Sequence, residues 1–283
     1  MEVGVKSFRD ISRMLTVVEN NLPGTDDILL NLIPNNAVII GVTGPPGAGK
    51  STLVKSLIGE LVKENARIAV LAVDPTSPFN FGSLLGDRIR MQTYFTDPNI
   101  YIRSVATRGS LGGLSGKIIE MTDVLRASGF DYIIVETVGV GQSEIEIASL
   151  ADVTLLVLVP ESGDEIQSIK SGIMEIADCF VVNKADREGA EKFAETLQKM
   201  PGQNASVYKT VATMNTGIKE VIAFIKNFEF ANKNKSYLLA QKAWKLIQEK
   251  RMSDIDSKSL EQEIFEEAKF PGFNLYRFVE SKL

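Results

Sequence analysis

A short apolar run, AVIIGV at residues 37–42, leads almost directly into Gly44-Pro45-Pro46-Gly47-Ala48-Gly49-Lys50-Ser51-Thr52, and a helical pattern begins at once. The nonapeptide fits G-x-x-x-x-G-K-[ST] in the setting that gives the pattern meaning, between a strand and a helix. Its glycines let the backbone wrap a phosphate chain, and the amides at the helix start point toward negative charge. Lys50 is placed to neutralise β- and γ-phosphate oxygens, and Ser51 to offer its hydroxyl to Mg2+. A chain that must present such a loop at the end of a buried strand is expected to be an α/β protein of the P-loop NTPase class.

The rest of the sequence up to about Ile225 keeps the same rhythm. Six further strand-like runs follow, RIAVLAV (67–73), NIYIRS (99–104), DYIIVET (131–137), VTLLVLV (153–159), CFVVNK (179–184) and SVYKTV (206–211). Helical stretches near 50–64, 83–94, 115–128, 164–176, 187–200 and 217–227 separate them. Short, continuously apolar strands with helical crossovers predict a mostly parallel central sheet with helices on both faces. Residues 1–34 read as an N-terminal extension of one or two amphipathic helices, broken at Asn20–Gly24, and 35–228 as the nucleotide-binding domain. Residues 229–283 match no strand template. They read as a C-terminal helical extension, with helices at 235–252, 257–268 and 274–282.

A second constellation, Asn183-Lys184-Ala185-Asp186, closes an apolar strand. A carboxylate there accepts hydrogen bonds from the ring N–H and the exocyclic amine of guanine. Adenine offers neither donor, so ATP would leave a buried Asp186 unpaired, a loss worth orders of magnitude in discrimination. The Lys184 stem can lie on the flat of the base, and Asn183 can tie its loop to the phosphate loop. The pattern is weak alone; after a buried strand and downstream of the phosphate loop it predicts GTP rather than ATP.

The third is Asp131–Gly139, an apolar strand ending in a carboxylate with a glycine three residues on. Glu136 would reach Mg2+ directly or through water, and the Gly139 amide would contact the γ-phosphate. Most GTPases carry Asp at the first of these positions, so Glu suggests a longer reach or a water-bridged role. Asp74, at the end of run 67–73, is either a site carboxylate or a surface charge.

Composition narrows the partners and the chemistry. The net charge is −5 with no long basic run, which disfavours a nucleic-acid partner. One cysteine, Cys179, excludes an internal disulfide, and the absence of histidine removes the commonest metal ligand and general base. The first residues lack a secretory apolar core. The longest apolar run, Val153–Val159, is far short of the roughly 20 residues that cross a bilayer. A soluble, cytoplasmic protein without a membrane partner is expected.

Taken together, VTGPPGAGKST, VDPTSPF with GSLLGDRIRM, IRSVATRGSLGGLSG, ETVGVGQSEIEIA, GDEIQSIKSGIMEIAD and VVNKADR resemble the methylmalonyl-CoA mutase-associated GTPases of the MeaB/ArgK type. The resemblance runs from about 38 to 227, with a weaker similarity at Asn274-Leu275-Tyr276. It implies hydrolysis of GTP to GDP and phosphate, and a chaperone role toward an adenosylcobalamin-dependent acyl-CoA mutase, gating cofactor loading and protecting the enzyme. It implies a homodimer formed through helical extensions. By position, Lys50, Asp74, Asp87 and Glu136 match the family's catalytic and magnesium-site residues, with Ser51 as a further magnesium ligand. Gln167–Gly172, including Lys170, matches a switch segment that signals to the partner, and Val211-Ala212 the loop whose amides face the guanine carbonyl.

Two places depart from the family pattern. Phe81 stands where a glycine is usual in the first switch (Asn80-Phe81-Gly82-Ser83), and Pro160-Glu161-Ser162-Gly163 is slightly irregular. A bulky residue at the first restricts the backbone and is expected to slow the switch or alter partner choice. Gln142 and Arg108 are candidates for orienting water or completing the site, each with a bland structural alternative. A nickel-delivery protein would need Cys and His clusters that this chain lacks. A transport-system kinase would need a protein-acceptor site that nothing here marks.

Overall fold

The computed structural model describes residues 6–33, 35–74, 91–106, 117–137, 147, 150–163, 173–200 and 206–228. In the C-terminal part it describes 240, 243–244, 246–248, 250–252, 254–270 and 272–282. The predicted helix at 83–94 falls largely outside this set, and only Gln92–Tyr94 is seen, as a 3-10 turn.

All seven expected strands form: β1 (Val38–Thr43), β2 (Ile68–Asp74), β3 (Ile100–Ala106), β4 (Tyr132–Glu136), β5 (Val153–Leu158), β6 (Cys179–Asn183) and β7 (Ser206–Thr210). They make one parallel sheet in the order β3-β2-β4-β1-β5-β6-β7. The helices are α1 (Phe8–Glu19), α2 (Thr25–Leu30), α3 (Lys50–Val62), α4 (Ile118–Arg126), α5 (Ile173–Ile176), α6 (Ala190–Gln198), α7 (Ile218–Asn227), α8 (Ser257–Glu267) and α9 (Leu275–Glu280).

The central strands β1, β4, β5 and β6 are largely apolar because successive side chains go to opposite faces and both faces are covered, whereas β7 at the sheet edge carries Lys209 exposed. On β1, Ile40 and Val42 join one core with Leu53 and Leu57 of α3 and Val221 of α7. Ile39 faces the other way, into a cluster with Leu15 of α1 and Met121 of α4. Beyond β5 that second face is filled by Leu156, Leu158, Phe180 and Phe193.

The N-terminal helices contribute to this core. Ser7 caps α1 by accepting from the Asp10 amide, and the helix buries Ile11, Leu15 and Val18, one apolar stripe at helical spacing. Its first turn is clamped by Arg67, which donates to the carbonyls of Ser128 and Lys6 and lies over the rings of Phe8 and Phe130. The chain divides into two compact units, 1–232 and 233–283. The second holds α8, capped by Asp256, and α9, capped by Asn274. Among the described residues no helix is long and apolar enough to cross a membrane.

The strand order fixes where chemistry can occur. The chain leaves β1 for β2 and β3 on one side, returns as β4 between β2 and β1, then continues as β5 on the other side of β1. The loop after β1 therefore emerges where the sheet's order reverses, the place at which parallel α/β sheets bind ligands.

Candidate guanine-nucleotide site

The phosphate loop is shaped by close approach. Gly44 has φ +139°, and a Cβ there would sit 2.1 Å from the Val157 carbonyl oxygen of β5. Only a glycine lets the chain turn this tightly against the neighbouring strand. Gly49, φ +89°, precedes the first turn of α3, and a Cβ on it would be 2.4 Å from Asn183 Nδ2. The Lys50 ammonium, buried to 7% exposure, donates to the carbonyls of Gly44 (2.8 Å) and Pro45 (3.0 Å). Its charge is thus held at the inner wall of the loop.

The end of β4 meets the start of α3. Ser51 Oγ donates to Glu136 Oε1 at 2.6 Å, both side chains buried. Alongside, Thr137 Oγ1 donates to Thr43 Oγ1 (3.0 Å) and its amide to the Val42 carbonyl (3.0 Å), locking the ends of β4 and β1 together. The β2–β4 register pairs Ala72 with Glu136, so Asp74 leaves the sheet at this same end. Its side chain lies outside the described residues, as do Asp87, Gly139, Arg108, Gln142, Phe81 and the segment Gln167–Gly172 with Lys170.

Asn183 joins three segments. Its Nδ2 donates to the Ala48 carbonyl of the phosphate loop (2.9 Å), and its Oδ1 accepts from Thr210 Oγ1 (3.1 Å) and the Ala212 amide (3.2 Å). Ala212 is fastened further by Ser56 of α3, whose hydroxyl donates to its carbonyl at 2.7 Å. The Ala212 amide, matched by family resemblance to a guanine-carbonyl donor, is here engaged by Asn183; a base would compete for it. Lys184, with φ +56°, donates from Nζ to the Gly47 carbonyl (2.8 Å), so its stem bridges the two loops.

An open cleft of about 190 Å³ lies between these loops, lined among others by Gly49, Asn183, Lys184, Asp186, Arg187 and Val211. Asp186 lines this open cleft and is exposed rather than buried. A base filling the cleft would cover it. Arg187, which directly follows Asp186, also belongs to the cleft, a role that N-K-x-D alone does not mark. Thr52 and Thr213 also line it.

The pairing of Ser51 with Glu136 places two hard oxygen donors side by side, the donor chemistry Mg2+ prefers. Among the described residues no cluster of three His, Cys, Asp or Glu side chains is arranged to hold a metal alone. Cys179 is buried in β6, where burial pushes its thiol well above the usual range, so it offers no thiolate.

Comparison with known proteins agrees with this geometry. The family model for methylmalonyl-CoA mutase-associated GTPase MeaB matches residues 11–268. A putative GTPase of Pyrococcus abyssi is 50% identical over 254 residues, 85% of this chain and 78% of the relative. The GTPase ArgK of Escherichia coli is 41% identical over 182 residues, 62% of this chain and 55% of its own length. Among solved structures, an LAO/AO transport system kinase superposes with a TM-score of 0.63 at 26% identity, covering 87% of this chain and 79% of that one. A phosphate loop at the sheet's reversal point, a guanine-type loop stapled to it and a family match over most of the sequence lead to one assignment: the chain belongs to the methylmalonyl-CoA mutase-associated GTPase family.

Proposed function

We propose that this GTPase serves as a chaperone for an adenosylcobalamin-dependent acyl-CoA mutase, coupling Mg2+-dependent GTP hydrolysis to cofactor loading and protection of that enzyme. The nucleotide half rests above all on Asn183, whose side chain binds the phosphate loop, the end of β7 and the Ala212 loop at once. The mutase half rests on membership of a family described as mutase-associated.

In this reading Ser51 and Glu136 would hold Mg2+, and Asp74 and Asp87 would complete its surroundings. The ion, when bound, neutralises charge on the β- and γ-phosphates. Lys50 moves its ammonium from the loop carbonyls to the phosphate oxygens, and the backbone N–H groups of 47–51 stabilise the negative charge that develops as the γ-phosphate leaves. Asp186 selects guanine, Lys184 covers the base, and Gly139 senses the γ-phosphate. Water attacks in line, positioned with help from Gln142 or Arg108. No histidine base is needed, because phosphoryl transfer depends chiefly on positioning and electrostatics. The segment 167–172, with Lys170, passes the nucleotide state to the mutase. Residues 229–283 form the homodimer arm, and the protein works in the cytoplasm.

Lys50→Ala is expected to lower hydrolysis on the order of a hundredfold or more. Asp186→Asn is expected to shift preference from GTP toward xanthosine triphosphate, read by calorimetry with both nucleotides. Unchanged nucleotide behaviour in both variants removes the site assignment. For the partner, GTP- and GDP-loaded protein is used to capture binders from native extract, identified by mass spectrometry. A cobalamin mutase supports the chaperone reading; a hydrogenase or urease in its place overturns it.

A further inference from the structure

The proposed chemistry leaves unused Arg187 of the base cleft and Glu161, the residue it pairs with on a neighbouring turn. Arg187 Nη1 donates to Glu161 Oε1, joining the loop after β6 to the 3-10 turn Pro160–Gly163 after β5. Glu161 belongs to the stretch that departs from the family pattern. Arg187 also lines the cleft beside Asp186, and its amide closes the turn begun by the Lys184 carbonyl (3.0 Å). Lys184 lines the same cleft with its stem, its ammonium donating to the Gly47 carbonyl. The hydrogen bond from Arg187 holds the Glu161 carboxyl below the usual carboxylate range.

A guanidinium is planar. A carboxylate that engages it along one edge leaves its faces free, and those faces stack on aromatic rings. We infer that Arg187 is a further guanine-contact residue whose guanidinium packs on the base, and that Glu161 is the positioning residue that holds it there. This rests on the reading of the cleft as the guanine site.

The contact touches only the base, which GTP and GDP share. Arg187→Ala is therefore expected to weaken both nucleotides by the same factor, about three- to tenfold. KM for GTP rises accordingly and kcat is unchanged, as for binding that does not grow in the transition state. Magnesium tripolyphosphate, a probe without a base, should bind the variant as it binds the unaltered protein. Glu161→Gln should weaken GDP about twofold alone and not at all in the Arg187→Ala background.

Equal losses for GDP and tripolyphosphate would show that Arg187 acts only as a distant cation or a loop support, and would overturn the inference. So would unaltered GDP affinity, or additive effects of the two substitutions. Failure of the guanine reading itself looks different: the unaltered protein would then show no preference for GDP over ADP.

Discussion

At Gly49 the backbone and the base-side loop compete for the same space. A methyl group there would fall 2.4 Å from Asn183 Nδ2 on a backbone held at φ +89°. Gly49→Ala therefore meets two penalties, left-handed strain and displacement of the side chain that staples the phosphate loop. The expected cost in stability is at least ~1 kcal/mol, measured by urea unfolding. Asn183→Ala, which removes the staple without strain, should weaken GDP by more than about tenfold, since it frees two loops and leaves the Ala212 amide and the Thr210 hydroxyl without their acceptor. Undiminished GDP affinity in that variant would show that the loops hold their places unaided. Much of this was legible in the sequence. G-x-x-x-x-G-K-S and N-K-x-D carry their own contexts, and each residue type answers a fixed chemical demand. The Glu161–Arg187 pair was not legible. Its members lie on different loops, and only the sheet, by placing β5 beside β6, brings them into contact.

The elements were readable for a related reason. A strand buried on both faces is apolar at nearly every position, and runs such as VTLLVL of β5, with Thr154 its one polar residue, announce themselves. Their order was not readable, since the insertion of β4 between β2 and β1 depends on pairing between distant segments. Nor did the sequence separate the N-terminal helices from a loosely attached extension. Leu15 of α1 is fully buried in the core shared with α4 and with strands β1, β2 and β4. Leu15→Ala should then cost about 2–5 kcal/mol, as for a leucine in any well-packed interior. A loss below ~1 kcal/mol in urea unfolding would mean that α1 is merely attached to the domain. Cys179, in β6, offers a complementary readout. Fully buried and with its thiol pushed up by that burial, it should react with a disulfide reagent only as fast as the sheet opens. Rapid labelling of the native protein would contradict the placement of β6 inside the sheet.

Across the whole molecule, the nucleotide chemistry and the C-terminal helices belong to different compact units. Every described residue of the candidate site, from Gly44 to Thr213, lies in residues 1–232, and α7 closes that unit with Val221, Ile222 and Ile225 in its core. The second unit caps its own helices, and among its described residues Trp244, Phe265, Phe270 and Tyr276 are exposed. If those residues serve association rather than nucleotide binding, the two properties should separate on truncation. A chain ending at Asn232 is expected to unfold cooperatively and to bind GDP within about twofold of the full chain, because sites in separately packed units act nearly independently. The same truncation should convert the proposed dimer to a monomer in light scattering. A truncated chain that still dimerises would move the association surface onto the nucleotide-binding unit. One that loses GDP would show that the phosphate loop and its staple depend on helices outside their own core.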